Sequence, residues 1–169
     1  MRVLMFGWEF PPHIAGGLGT ASYGLTKGLA SLDDLEVLFV VPRAWGDEDQ
    51  KDVRLIGANT IPVAFKKIKF FNRLRDIQKI EVYSKLVPYT APEDFWKMTG
   101  SHVSDTDILL KTNVQGKVDF SGSYGPSLME EIKSYSVVAS VIASENEFDV
   151  IHAHDWLAYP AGISAKAVS

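Results

Sequence analysis

Within the first 41 residues, two short apolar runs flank a glycine-rich turn and a helix-periodic segment, a succession that few folds accommodate. Val3-Leu4-Met5-Phe6 is a continuous apolar run ending at a Gly-rich turn, the mark of a strand buried on both faces. Leu18, Ala21, Leu25, Leu29 and Leu32 then recur at three- and four-residue steps. That spacing predicts a helix from about Thr20 to Ser31 with this stripe on one face, closed by Asp33-Asp34. Val37 to Val41 reads as a second buried strand stopped by Pro42. Strand, glycine loop, helix and strand make a βαβ unit with an expected right-handed crossover. The expected class is therefore α/β with a mainly parallel sheet.

The middle of the chain carries weaker signals. Val53 to Phe65 and Ile80 to Val87 have strand-like content, and in the second Ile80, Val82, Ser84 and Leu86 alternate with Glu81, Tyr83 and Lys85. Lys66 to Arg75, KKIKFFNRLR, is a local basic patch with two Phe. It reads either as a solvated loop or hairpin, or as a contact for an anionic or carbohydrate ligand. YTAPEDFWKMTGS has no clean period and is expected as loop with a short helix. Order returns with Pro126, which suits a first helical turn. Leu128, Ile132, Tyr135, Ala139 and Ile142 mark a helical face running to about Asn146. Asp149 to His154 is expected as a strand, and DWLAYPAGISAKAVS as the start of another helix.

With 169 residues the chain can build one domain around a real core. A formal net charge of −4 offers no basic field for nucleic acid or an anionic membrane. The absence of cysteine removes disulfides, thiolate metal sites and a Cys nucleophile. No apolar run approaches the roughly 18 residues of a membrane span, and Glu9 interrupts the apolar start before it reaches signal-peptide length. The expected location is the cytoplasm.

Two clusters carry possible chemistry. Gly16, Gly17 and Gly19 sit between a strand and a helix, where glycines permit positive φ and close backbone approach to a ligand. Free N–H groups and the positive dipole end there suit a phosphate, and taken alone the cluster reads equally as a phosphate cradle or as a merely structural tight turn. The spacing matches neither the dinucleotide fingerprint nor a P-loop. Val40-Val41-Pro42 ends the second strand without an acidic residue for a ribose hydroxyl, which disfavours NAD. The second cluster is HAHDW, His152 to Trp156. On a strand His152 and His154 share a face, with Asp155 and Trp156 just past the carboxyl end, where ligands bind in open α/β sheets. The set is open to three readings: a metal site completed by His13 or His102, a packed structural group, or a site for a polar uncharged ligand such as a sugar. A nucleotide-sugar would engage both clusters, its diphosphate on N–H groups and its sugar on His, Asp and Trp.

The strand followed by WEFPPHIAGGLGT, together with the later FDVIHAHDW, resembles the N-terminal domain of bacterial glycogen and starch synthases, glycosyltransferase family 5, and their close relatives in family 4. The resemblance covers most of the chain. It implies a Rossmann-like three-layer α/β domain, residues 1–169, forming the N-terminal, acceptor-side half of a GT-B fold. It implies retaining transfer of glucose from ADP-glucose or UDP-glucose to the non-reducing end of an α-1,4-glucan, with no metal or other cofactor. It places Gly16, Gly17 and Leu18 at the donor phosphates, Asp155 at the reaction centre, and Glu9, His154 and Trp156 at the sugar or acceptor. The family loop reads K-T-G-G-L-(G/A)-D, whereas Ile14 stands here for the lysine and Thr20 for the aspartate. His13 or a basic residue of a second domain is then expected to serve the phosphate. That departure leaves room for a family 4 enzyme with another donor or acceptor, or for a non-catalytic binding module. The second GT-B domain, with its donor-binding residues, is expected beyond Ser169, and residues 1–169 alone are expected to be inactive.

Overall fold

The computed structural model describes residues 1–63 and 112–169. Their elements are β1 (Arg2–Phe6), α1 (Gly17–Ala30), β2 (Glu36–Val41), β3 (Arg54–Gly57), a 3-10 turn (Ala58–Thr60), α2 (Leu128–Glu145), β4 (Val150–Ala153) and α3 (Asp155–Lys166). The described strands form one parallel sheet in the order β3-β2-β1-β4. The chain is thus the α/β domain with a parallel sheet that its opening βαβ unit predicts, and it is Rossmann-like as the resemblance implies.

Alternation along the strands divides the core into two layers. Val3 and Met5 of β1, with Phe39 and Val41 of β2, face Tyr23 and Leu29 of α1. Leu4 and Phe6, with Val40, face the other way onto α2 and α3. The stripe Leu128, Ile132, Tyr135, Ala139 and Ile142 of α2 is buried as its period requires.

Tyr135 ties this layer to the sheet end. Its ring packs edge-on against Phe6, Trp8 and Phe120 at 6.0–6.3 Å between centroids. Its hydroxyl donates toward the carbonyls of Val40 (2.8 Å) and Gly7 (3.1 Å), just where β2 and β1 give way to loops. Complete burial pushes the phenol pKa well above its ordinary value, so the proton stays in place. Tyr135→Phe removes that proton and strands the Gly7 carbonyl in an apolar core. We expect a loss of about 1–3 kcal/mol, read as a fall in Tm of roughly 2–10 °C for a chain of this size. An unchanged melting curve would mean that the sheet end does not depend on this hydroxyl.

Three expectations need correction. Helix α1 begins at Gly17 rather than Thr20, and its inward positions are Gly19, Ser22 and Thr26. Leu25 and Leu32 of the predicted stripe are exposed at 37% and 54%. Small residues let the helix sit close over the loop before it, and Thr26 satisfies its hydroxyl on the Tyr23 carbonyl at 2.8 Å. Of the strand expected over Val53 to Phe65, the described residues, which run to Val63, form a strand only at Arg54–Gly57, after which the chain turns through the 3-10 segment. Finally, Gly16 caps α1 at an extended φ of −165°, and positive φ occurs instead at Gly46, Gly116 and Gly122. The segments Ile80 to Val87, Lys66 to Arg75 and YTAPEDFWKMTGS, and also His102, lie outside the described residues.

The topology locates a crevice. From β1 the chain crosses through α1 to β2 on one side, while β4 lies on the other side of β1. The order reverses between β1 and β4, and ligands of open α/β sheets bind outside the carboxyl ends at such a switch point. The glycine loop leaves β1 there, and HAHDW leaves β4 beside it: the His154 N–H donates to the Phe6 carbonyl at 2.8 Å.

Candidate functional site

On the β1 side, the chain leaves the sheet as a tight loop. Gly7 lies so close to Phe39 that a Cβ would come within 2.5 Å of its ring. The loop closes with His13 N–H on the Phe10 carbonyl (3.0 Å) and Ile14 N–H on the Pro12 carbonyl (3.1 Å). Helix α1 starts at once, with no side-chain cap and no acidic residue in its first turn. Its leading N–H groups, on Gly17, Leu18 and Gly19, have no intrahelical acceptor, and the positive dipole end is uncompensated. A Cβ at Gly16 or Gly17 would meet nothing within 4 Å, whereas one at Gly19 would strike Ile14 and come within 3.0 Å of Glu9 Oε2. The first two glycines thus border open space, and the third closes the loop onto the helix.

On the β4 side, Asp155 opens α3 at φ +64°, a left-handed conformation that a non-glycine residue holds at a cost. Its Oδ1 accepts the Trp156 N–H at 2.6 Å, a local contact that offsets part of the strain. Trp156 packs its ring partly onto the α2–α3 core. His152 and His154 stack at 4.3 Å and 17°, and His154 Nε2 lies 3.3 Å from Met5 Sδ. Burial, and secondarily His152, lower the His154 pKa below its ordinary value. The unfolded chain therefore binds a proton that the native imidazole declines. Stability is full above the unfolded pKa near 6.5 and falls as pH drops below it. We expect the Tm to decrease from pH 7.5 to pH 5.5, and His154→Gln to flatten that slope. Parallel slopes for the two proteins would exclude His154 as the cause.

A cavity of about 470 Å³ opens beside the β1–α1 loop. Trp8, Glu9, Phe10 and Pro12 to Ala15 form one wall; Arg43 and Trp45, after β2, form the second; Ser121 to Tyr124, before α2, form the third. Arg43 stacks on Trp45 at 3.8 Å and donates to the Phe120 carbonyl at 3.0 Å, and His13 stacks on the same indole at 4.8 Å. Glu131, buried in α2, accepts the N–H groups of Ser121 (3.1 Å) and Gly122 (3.2 Å) and the hydroxyl of Ser121 (2.6 Å). That fastens the third wall.

Of the predicted site residues, Glu9 and the expected phosphate partner His13 line this cavity; Gly16, Gly17, Leu18, His154, Asp155 and Trp156 do not. The first three border the cavity wall along the chain, and the last three leave the adjacent strand. Sequence reasoning missed Arg43, Trp45 and Ser121 to Tyr124. A signal was available for Arg43 and Trp45, which directly follow the carboxyl end of a buried strand. His13, the expected stand-in for the family lysine, is held by Asp47 at 2.7 Å, so its charge is already paired when protonated.

The grouping with metal-ligand spacing among the described residues is His13, Asp47 and Glu48, not the His152–His154 stack. Its atoms already have protein partners. His13 binds Asp47, and the two Glu48 oxygens accept the N–H groups of Trp45 (2.6 Å) and Gly46 (2.9 Å). No helix among the described residues is long and apolar enough to cross a membrane.

A family model described as the starch synthase catalytic domain matches residues 2–169. No curated protein and no solved structure matches the chain.

Proposed function

The chain belongs to the starch synthase catalytic-domain family, a family of glycosyltransferases, and we propose that it is the acceptor-side half of a GT-B enzyme of the glycogen synthase kind. The reaction proposed is retaining transfer of glucose from ADP-glucose or UDP-glucose to the non-reducing end of an α-1,4-glucan. The observation that carries this reading is the convergence of two motifs on one switch point. An uncapped helix N-terminus preceded by open glycines leaves β1, and a strained aspartate leaves neighbouring β4.

In this proposal the N–H groups of Gly17 and Leu18 face the donor diphosphate, which is pure acceptor and matches a cluster of unmet donors. Gly16 and Gly17 leave the room that its oxygens need. Asp155 holds a negative charge where positive charge develops on the sugar, an electrostatic role that requires a fixed carboxylate. Glu9, His154 and Trp156 serve the sugar and acceptor, with His154 as a neutral imidazole. Residues 1–169 alone are expected to give no turnover, because transfer needs donor and acceptor groups held together by both halves of the cleft.

The deciding experiment offers labelled ADP-glucose and UDP-glucose to the complete gene product, each with and without glycogen. Glycogen-dependent incorporation is expected from one of the two. No incorporation by the folded protein would discard the synthase assignment in favour of another donor or acceptor.

A further inference from the structure

We propose that Met5 is a positioning residue for the crevice: its thioether accepts the Nε2–H of His154 and holds the imidazole in one tautomer, with Nδ1 the bare acceptor offered to a ligand. The pairing stands on its own geometry; its use in sugar recognition rests on the transferase reading.

β1 and β4 run parallel with Met5 opposite His152, so these two side chains leave the sheet on one face, and His154, two residues on, joins them. That is the face that packs on α1, where Met5 lies completely buried beside Phe39. The Phe39 ring lies 6.4 Å from the His154 ring, and His152 stacks on the imidazole at 4.3 Å. The edge of the imidazole turns inward, and Nε2 meets Met5 Sδ at 3.3 Å. Among the described residues the sulfur is the one hydrogen-bond partner of this side chain.

A thioether sulfur has lone pairs and no proton, so it can only accept. The contact is therefore a bond when Nε2 carries the hydrogen, and sets lone pair against lone pair when it does not. Burial and the neighbouring His152 keep the ring neutral at neutral pH, so it holds one proton, and that proton is committed inward. Nδ1 is left bare. It has no partner among the described residues, yet it is not one of their buried unpaired atoms, so it is open to a ligand. A bare nitrogen accepts from a hydroxyl or an N–H and repels the oxygens of a diphosphate, which are acceptors only. The two sides of the switch point are thus complementary, with donors at the first turn of α1 and an acceptor at the end of β4. Without the sulfur either nitrogen could carry the proton, and the ring could present a donor in the same place.

The test reads the tautomer by nuclear magnetic resonance of the complete protein labelled with nitrogen-15 in histidine, at about pH 8, well above the ordinary histidine pKa. His154→Gln assigns the signals. The parent is expected to show Nε2 of the protonated type and Nδ1 of the bare type. Leucine conserves the volume of methionine, so Met5→Leu should melt near the parent temperature. It removes the acceptor, and the share of the Nδ1–H form is expected to rise roughly two- to tenfold, with the KM for glycogen rising by about the same factor. Nδ1 protonated in the parent, or a ratio unmoved by Met5→Leu, would overturn the inference. So would a moved ratio beside an unchanged KM in an active enzyme. A moved ratio with no transfer of glucose by either protein would uphold the Met5–His154 pairing and remove the transferase reading instead.

Discussion

Asp155→Asn is expected to reduce kcat of the complete enzyme by at least about 10²–10³-fold, the scale of losing one preorganised electrostatic group at a reaction centre. Asparagine keeps the size of the side chain and tolerates φ +64° nearly as well as aspartate, so the change isolates the charge. The melting temperature should stay near that of the parent. Asp155→Gly makes the complementary test. Glycine takes a left-handed φ without the Cβ clash that costs other residues about 1–2 kcal/mol. Part of that strain is already offset by the 2.6 Å bond from the Trp156 N–H. The glycine variant should therefore melt at or slightly above the parent temperature while turnover is lost. A residue whose replacement stabilises the fold and destroys activity is held in place for function. Near-parental turnover by the asparagine variant, measured with saturating donor and glycogen, would remove Asp155 from the reaction centre.

The outline of the fold was legible because its strongest signals are local. Val3 to Phe6 and Val37 to Val41 are apolar without alternation, and both prove buried on two faces between helical layers. The α2 stripe was equally plain, since large apolar residues at helical spacing have few other uses. Helix α1 was misread for the converse reason. Its fully buried positions are Gly19, Ser22 and Thr26, small or polar residues that no hydropathy pattern ranks inward, while Leu18 and Leu29 of the expected stripe are only partly buried against the core. The site divides in the same way. The glycine loop and HAHDW are contiguous motifs and could be read directly. The cavity is assembled from three loops distant along the chain, and the fold alone brings Arg43 and Ser121 to Tyr124 against Glu9. The strain at Asp155 was invisible for a related reason: φ at that position is imposed by the meeting of β4 and α3, not by the identity of the residue.

Gly17→Ala should separate ligand approach from packing at the other half of the site. Nothing lies within 4 Å of a Cβ added at Gly17, which stands in the first turn of α1. Alanine is the better helix former there by up to about 1 kcal/mol, so the variant should melt at or above the parent temperature. Its methyl group would occupy the space assigned to the donor diphosphate. The KM for the nucleotide-sugar is expected to rise by roughly 10- to 100-fold, about 1.4–2.8 kcal/mol of lost binding. Gly19→Ala gives the opposite pairing. Its Cβ would collide with Ile14 and press on Glu9 Oε2 at 3.0 Å, so the loop must shift. That overpacking should cost about 1–3 kcal/mol of stability. Two alanine substitutions two positions apart would thus move different observables, donor affinity in one and melting temperature in the other. If Gly17→Ala leaves the donor KM unchanged, no phosphate approaches the first turn of α1, and the glycine pair is a structural turn alone.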